Sequence, residues 1–123
     1  MSITVGTDIL EINRFRKVLE RRPGLRRKIF TEAEVAYCES KADSIPHFAA
    51  RFCAKEAFAK AIGSGVREFS MSEVEVVRND LGKPGIELSG RAHKIASDLA
   101  VKDVDVSMSH SDLFAVAVVV VEK

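Results

Sequence analysis

The segment from Phe48 to Ile62 constrains this chain most. Eleven of its fifteen residues are Phe, Ala, Cys or Ile, and four charges, Arg51, Lys55, Glu56 and Lys60, interrupt it. A helix that is apolar around most of its circumference is buried on most sides. The remainder of a 123-residue chain must therefore wrap around it. That length supports one core, and so one domain over residues 1–123. Charges on such a helix need partners or a ligand, because an apolar interior does not carry them unpaired. Spacing of i,i+4 puts Arg51 with Lys55 and Glu56 with Lys60, each pair on one side. A Glu56–Lys60 helix ion pair, worth roughly 0.2–0.5 kcal/mol, is the plainer reading; a ligand site is the sharper one.

Around this helix the patterning predicts an α+β chain in the order β-ααα-ββ-α-ββ. Ile3–Leu10 is rich in Ile, Val and Thr and predicts a strand. Residues 11–20 turn helical until Pro23-Gly24 breaks the pattern. Thr31 followed by Glu34 forms a capping box for a helix to about Ser40, and the central helix covers 47–62 until Gly63-Ser64-Gly65 stops it. Met71–Arg78 and Pro84–Leu88 predict two strands around an Asn79–Lys83 turn. Ser89 caps a helix from Gly90, and Val104–Ser109 pairs with Phe114–Val121 through the His110-Ser111-Asp112 turn. Short antiparallel connections of this kind exclude a doubly wound parallel sheet.

The net charge of +1 hides a split: residues 14–28 hold eight basic side chains and one acid. Such a run suits an acidic partner, or else is a solvated face whose arginine stems cover the core. Nucleic acid is disfavoured, since one Tyr and no Trp leave little to stack on bases. The longest apolar run, Phe114–Val121, is too short to span a membrane. Asp8 and Glu11 spoil a leader peptide. Cys38 and Cys53 lack metal-ligand spacing and fit free thiols in a reducing cytoplasm.

Asp8 lies near the end of the first strand. If it converges with Glu56, the two carboxylates suit Mg²⁺, with phosphates and waters completing the shell; alone it is an ordinary turn or cap residue. Gly63-Ser64-Gly65 lets backbone N–H groups approach a phosphate, or simply ends a helix. Ser109, His110 and Asp112 are too close in sequence for a convincing triad, while His110 on a hairpin can donate to a phosphate. His47 and His93 have no supporting neighbours and read as surface histidines.

Together, Gly6-x-Asp8, Phe52-Cys53-Ala54-Lys55-Glu56-Ala57-Phe58-Ala59-Lys60, Gly63-Ser64-Gly65 and Val106-Ser107-Met108-Ser109-His110 resemble the holo-acyl-carrier-protein synthases, the short bacterial class of 4′-phosphopantetheinyl transferase. The resemblance covers essentially the whole chain. It implies that family's fold, a small antiparallel sheet packed on a long central helix. It also implies transfer of the phosphopantetheine arm of coenzyme A to a serine of apo acyl carrier protein, leaving adenosine 3′,5′-bisphosphate. A non-catalytic coenzyme A-binding relative and a small basic nucleic-acid-binding module are the alternatives.

By the same resemblance Asp8 and Glu56 hold Mg²⁺, Glu56 or a metal-bound water it orients takes the serine proton, and Lys60 reaches a phosphate. Arg51 and His110 meet the nucleotide end, with Gly63, Ser64, Gly65 and Ser109 also on coenzyme A. Lys55 receives no ligand. The basic segment becomes the docking face for the acidic carrier protein, through Arg14, Arg21 and Arg22 with Phe15, Val18 and Leu25 among them. A cytoplasmic homotrimer with sites between subunits is implied, without nucleic acid or membrane. The hairpin Val104–Val121 is either its interface or plain core.

Overall fold

The computed structural model describes residues 1–63 and 68–123. Strand β1 (Ile3–Glu11) leads into helices α1 (Ile12–Arg21), α2 (Leu25–Ile29), α3 (Glu32–Glu39) and α4 (Ile45–Ala61). After a 3₁₀ turn (Met71–Glu73) come strands β2 (Val74–Arg78) and β3 (Pro84–Leu88), helix α5 (Gly90–Asp98) and strands β4 (Asp103–His110) and β5 (Phe114–Glu122). The α+β class and the antiparallel strands on a long central helix are as the pattern predicts.

The detail differs in three places. Helix α2 is additional: Pro23-Gly24 does break the chain, but a helix resumes at once. It has only Leu25 and Ile29 as apolar residues, too few for a period to register. The strand expected from Met71 begins at Val74, because Ser70 and Glu73 form a capping box that winds the first residues into a 3₁₀ turn. The strands also divide into two sheets, β1-β5-β4 and the hairpin β2-β3.

Helix α4 lies on the inner face of the three-stranded sheet, against β1 and β5. Phe48 and Phe58 are fully enclosed, each burial contributing about 1.5–3 kcal/mol. Small residues line the α4–β5 packing, Ala54 and Ala57 on the helix and Ala115 and Ala117 on the strand, all buried. At Gly6 a Cβ would collide with the Ala57 carbonyl oxygen and lie 2.7 Å from the Ala61 nitrogen. Glycine is thus required on β1 by the approach of the helix backbone. Gly6 pairs with Val119, and two residues on, on the same face, Asp8 pairs with Ala117.

The outer face of this sheet is different. Ile3, Val5 and Ile9 are 60%, 60% and 65% exposed, and Val118 and Val120 beside them are 38% and 37% exposed. Of the two roles the hairpin's sequence left open, the core role is seen on one face of β5. Ala115, Ala117, Val119 and Val121 belong to the core, while the alternate residues face outward. Among the described residues no helix is long and apolar enough to cross a membrane.

Candidate functional site

Helix α4 presents two chemically distinct flanks, because positions 55 and 56 point about 100° apart around a helix. On one flank Glu56 is half-buried and Lys60, one turn on, is exposed. The Lys60 amine donates to the Thr7 carbonyl at 3.0 Å and to Asp8 Oδ1 at 3.3 Å. Cys53 lies beneath this group. Burial, then the charge of Asp8 and a hydrogen bond to it, then the charge of Glu56, push its thiol up to about 12, partly offset by Lys60. One thiol thus lies within electrostatic reach of both carboxylates, which come from different elements. Burial likewise raises the Cys38 thiol to about 11; both cysteines are free and buried, and neither is poised as a nucleophile.

Two carboxylates suit a hard divalent cation that takes its other ligands from phosphate and water. Among the described residues no three His, Cys, Asp or Glu side chains group as a self-sufficient metal cage. Asp8 and Glu56 offer the oxygen donors of a hard cation shared with a phosphorylated substrate, and no thiolate or imidazole of a structural zinc.

The other flank carries Arg51 and Lys55, both buried. The Arg51 guanidinium lies 4.3 Å from the Tyr37 ring centroid, and its Nη1 donates to the His47 carbonyl at 3.3 Å. Its Nε is buried without a hydrogen-bond partner. Two more cations approach the same ring, Lys41 at 4.6 Å and Arg78 at 5.1 Å. His47 stands edge-on to His110 at 5.4 Å. Tyr37, Arg51 and Arg78 line a cavity of about 210 Å³ together with Glu34, Glu75 and Val76. Five basic side chains meet here, His47 and Arg51 from α4, Lys41 from the loop before it, Arg78 from β2 and His110 from β4, an arrangement that favours an anion.

Burial first, then the charges of His110, Arg51, Lys41 and Arg78, hold His47 below the ordinary histidine range. His47 is therefore a correction: it is half-buried in this cluster, not a plain surface histidine. His93 is exposed as expected. Lys41, His47, Tyr37 and Arg78 were not legible as site residues, since no spacing links them; only the fold does.

Other expected residues fall as follows. His110 joins the Arg51 cluster, but its neighbour Ser109 points to the outer sheet face, away from it, as alternation along β4 requires. Gly63 has φ +78° just beyond α4 and donates to the Lys60 carbonyl, a helix-ending geometry. Ser64 and Gly65 lie outside the described residues. Ser111 Oγ accepts from the Leu113 and Phe114 amides, so it serves the turn and no triad.

In the basic segment Arg14, Arg21 and Arg22 are exposed. Arg16 is engaged by Asp43 at 2.8 Å and Arg26 by Glu39 at 3.0 Å. Phe15 is corrected as a surface contact: it is buried, its ring packed 5.2 Å from Phe52. Val18 is exposed and Leu25 half-buried.

Comparison with known proteins gives this geometry its relatives. The profile of the 4′-phosphopantetheinyl transferase superfamily matches residues 4–119. A holo-[acyl-carrier-protein] synthase of Geobacter sulfurreducens is 46% identical over 125 residues, covering 100% of this chain and 99% of the relative. The crystal structure of the synthase from Neisseria meningitidis superposes with a TM-score of 0.90 at 30% identity, covering 98% of both chains. That of the Helicobacter pylori synthase, solved in complex with coenzyme A, gives 0.82 at 30% identity over 96% of this chain and 99% of that one. These matches run the length of the chain and include the Lys55-Glu56-Ala57 helix, so this chain belongs to the holo-acyl-carrier-protein synthases of the 4′-phosphopantetheinyl transferase superfamily.

Proposed function

We propose that the chain moves the 4′-phosphopantetheine arm of coenzyme A onto a serine of apo acyl carrier protein, with Mg²⁺ bound by Asp8 and Glu56. The observation that carries this reading is that α4 offers carboxylate and lysine chemistry on one flank and a cluster of basic groups on the other. A pyrophosphate with a separate 3′-phosphate calls for both. The serine oxygen attacks the phosphorus that bears the pantetheine arm. The bond from that phosphorus to the bridging oxygen breaks, and its electron pair leaves with adenosine 3′,5′-bisphosphate. When bound, Mg²⁺ supplies positive charge against the phosphates. Glu56, or a metal-bound water that it orients, accepts the serine proton, and Lys60 exchanges its contact with Asp8 for a phosphate oxygen as charge builds on the leaving group. Arg51 and His110, with Lys41, His47 and Arg78, take the 3′-phosphate.

The outer sheet face of Ile3, Val5, Ile9, Val118 and Val120 supports association with further copies, and we read the working form as a homotrimer with sites between subunits. A cytoplasmic location follows from the two substrates. Native mass measurement is expected to give a three-copy particle; a monomer would overturn that assignment. For the activity, incubation with coenzyme A, Mg²⁺ and apo carrier protein is expected to add one phosphopantetheine mass to the carrier. A carrier of unchanged mass would leave a binding protein for coenzyme A or for nucleic acid.

Charge reversal at Arg14 or Arg21 is expected to raise the KM for carrier protein roughly tenfold at low salt. The defect should shrink as added salt screens the exposed charges. Unchanged carrier dependence in both variants would put docking elsewhere.

The cluster also predicts a pH effect. In the free protein burial and then the neighbouring cations disfavour a charged His47, and a bound dianion reverses the field of those cations and raises its affinity for a proton. Binding should therefore take up protons. It should weaken as pH rises through the titration of the bound-state imidazolium. Calorimetry of adenosine 3′,5′-bisphosphate binding in buffers of different ionisation heat measures the uptake, and His47→Gln should reduce it. An equal uptake in the variant would assign the proton to another group.

A further inference from the structure

The Lys55–Glu34 pair is the most enclosed polar feature among the described residues, and the chemistry above leaves it unused. Both side chains are 0% exposed. The Lys55 amine spends all three donors: on Glu34 Oε1 at 2.8 Å, on the Met71 carbonyl at 3.1 Å and on the Val74 carbonyl at 2.6 Å. Glu34 Oε1 also accepts from the Thr31 amide at 2.9 Å, and Oε2 from the Val76 amide at 2.9 Å. One saturated network therefore joins α3, α4 and β2.

Those three elements also build the walls of the basic cluster. Tyr37 lies on α3 one turn beyond Glu34, and Arg51 on α4 one turn before Lys55. Arg78 is on β2 in the alternation of Val74 and Val76, hence on the same face. Each wall residue is thus one or two structural periods from the network. Tyr37 then receives Arg51 at 4.3 Å and Arg78 at 5.1 Å, contacts that need the three elements in fixed relation.

Stability alone is a poor reason for such a pair. Replacing a buried ion pair by apolar residues of similar volume is often neutral or favourable, because desolvating both charges costs about what their attraction returns. Directed hydrogen bonds between three elements do something an apolar contact cannot: they fix rotation and register.

We infer that Lys55 and Glu34 are positioning residues for phosphate recognition, holding Tyr37, Arg51 and Arg78 in register so that the cluster selects coenzyme A by its 3′-phosphate. The inference rests on the functional reading proposed above.

The test compares kcat/KM for coenzyme A with that for 3′-dephospho-coenzyme A in the full-length protein and in Glu34→Met/Lys55→Met. The double change keeps volume and leaves no lone buried charge. A purely structural defect lowers the active fraction equally for both substrates. A positioning defect acts on the one that carries the 3′-phosphate. The expected result is a folded double variant whose kcat/KM falls at least tenfold with coenzyme A and less than threefold with the dephospho form. Equal losses, or no loss, would overturn the inference. If the double variant does not give a native circular dichroism spectrum, Glu34→Gln is read by the same ratio, and failure of both to fold assigns the pair to folding and overturns the inference. The unaltered protein separates the two levels. If it transfers nothing, the functional reading fails; if it transfers from both substrates alike, phosphate selection fails while the transferase assignment stands.

Discussion

Asp8→Ala and Glu56→Ala are each expected to lower turnover about 10³-fold or more, since a lost metal ligand removes several kcal/mol of transition-state stabilisation and each ~1.4 kcal/mol is tenfold in rate. The loss should be catalytic, not structural. Glu56 is half-buried on a helix where alanine is the best helix former. Asp8 is half-buried on β1, and in its absence the Lys60 amine keeps the Thr7 carbonyl. Melting temperatures should therefore stay within a few degrees of the unaltered protein. Binding of Mn²⁺, followed by electron paramagnetic resonance with coenzyme A present, should weaken in both variants. Full activity with unaltered Mg²⁺ dependence in either one would remove that residue from the metal site.

Gly6→Ala is expected to be the most disruptive small substitution in the chain. The added Cβ meets backbone, the Ala57 carbonyl and the Ala61 amide, and not a side chain that can rotate away. Overpacking of this kind costs about 3 kcal/mol or more. At roughly 4 °C per kcal/mol for a domain of this size, the midpoint should drop by about 10 °C. Since Asp8 follows two residues later on the same face, activity should fall beyond what stability explains, measured well below the midpoint. A Gly6→Ala protein melting within 2 °C of the original would show that β1 and α4 do not approach as closely as described.

What the sequence revealed depended on how local each feature is. Helix α4 was legible because its composition alone demands burial. The Thr31–Glu34 cap was legible because its partners are three residues apart. The Asp8–Lys60 contact was not legible, since its partners lie 52 positions apart. Glu34 was half understood: the capping role was visible, but its pairing with Lys55 spans 21 residues and needs the fold. The basic cluster was the largest omission. Arg51 and His110 entered by resemblance, whereas Lys41, His47, Tyr37 and Arg78 become neighbours only after α3, α4, β2 and β4 assemble. Phe15 was misplaced for the converse reason. In a run of exposed arginines its apolar character suggested surface contact, yet it lies on the side of α1 that faces Phe52.

Strand β5 has no polar side for most of its length, since it supplies the core with one set of residues and presents valines to the outside with the other. A newly made chain carrying such a strand is adhesive until that second side is covered. In the proposed homotrimer, covering it with further copies would tie folding to dilution: the midpoint of thermal unfolding should climb with total protein concentration. Cells that make little of the protein would hold a larger share of it in the exposed, aggregation-prone form.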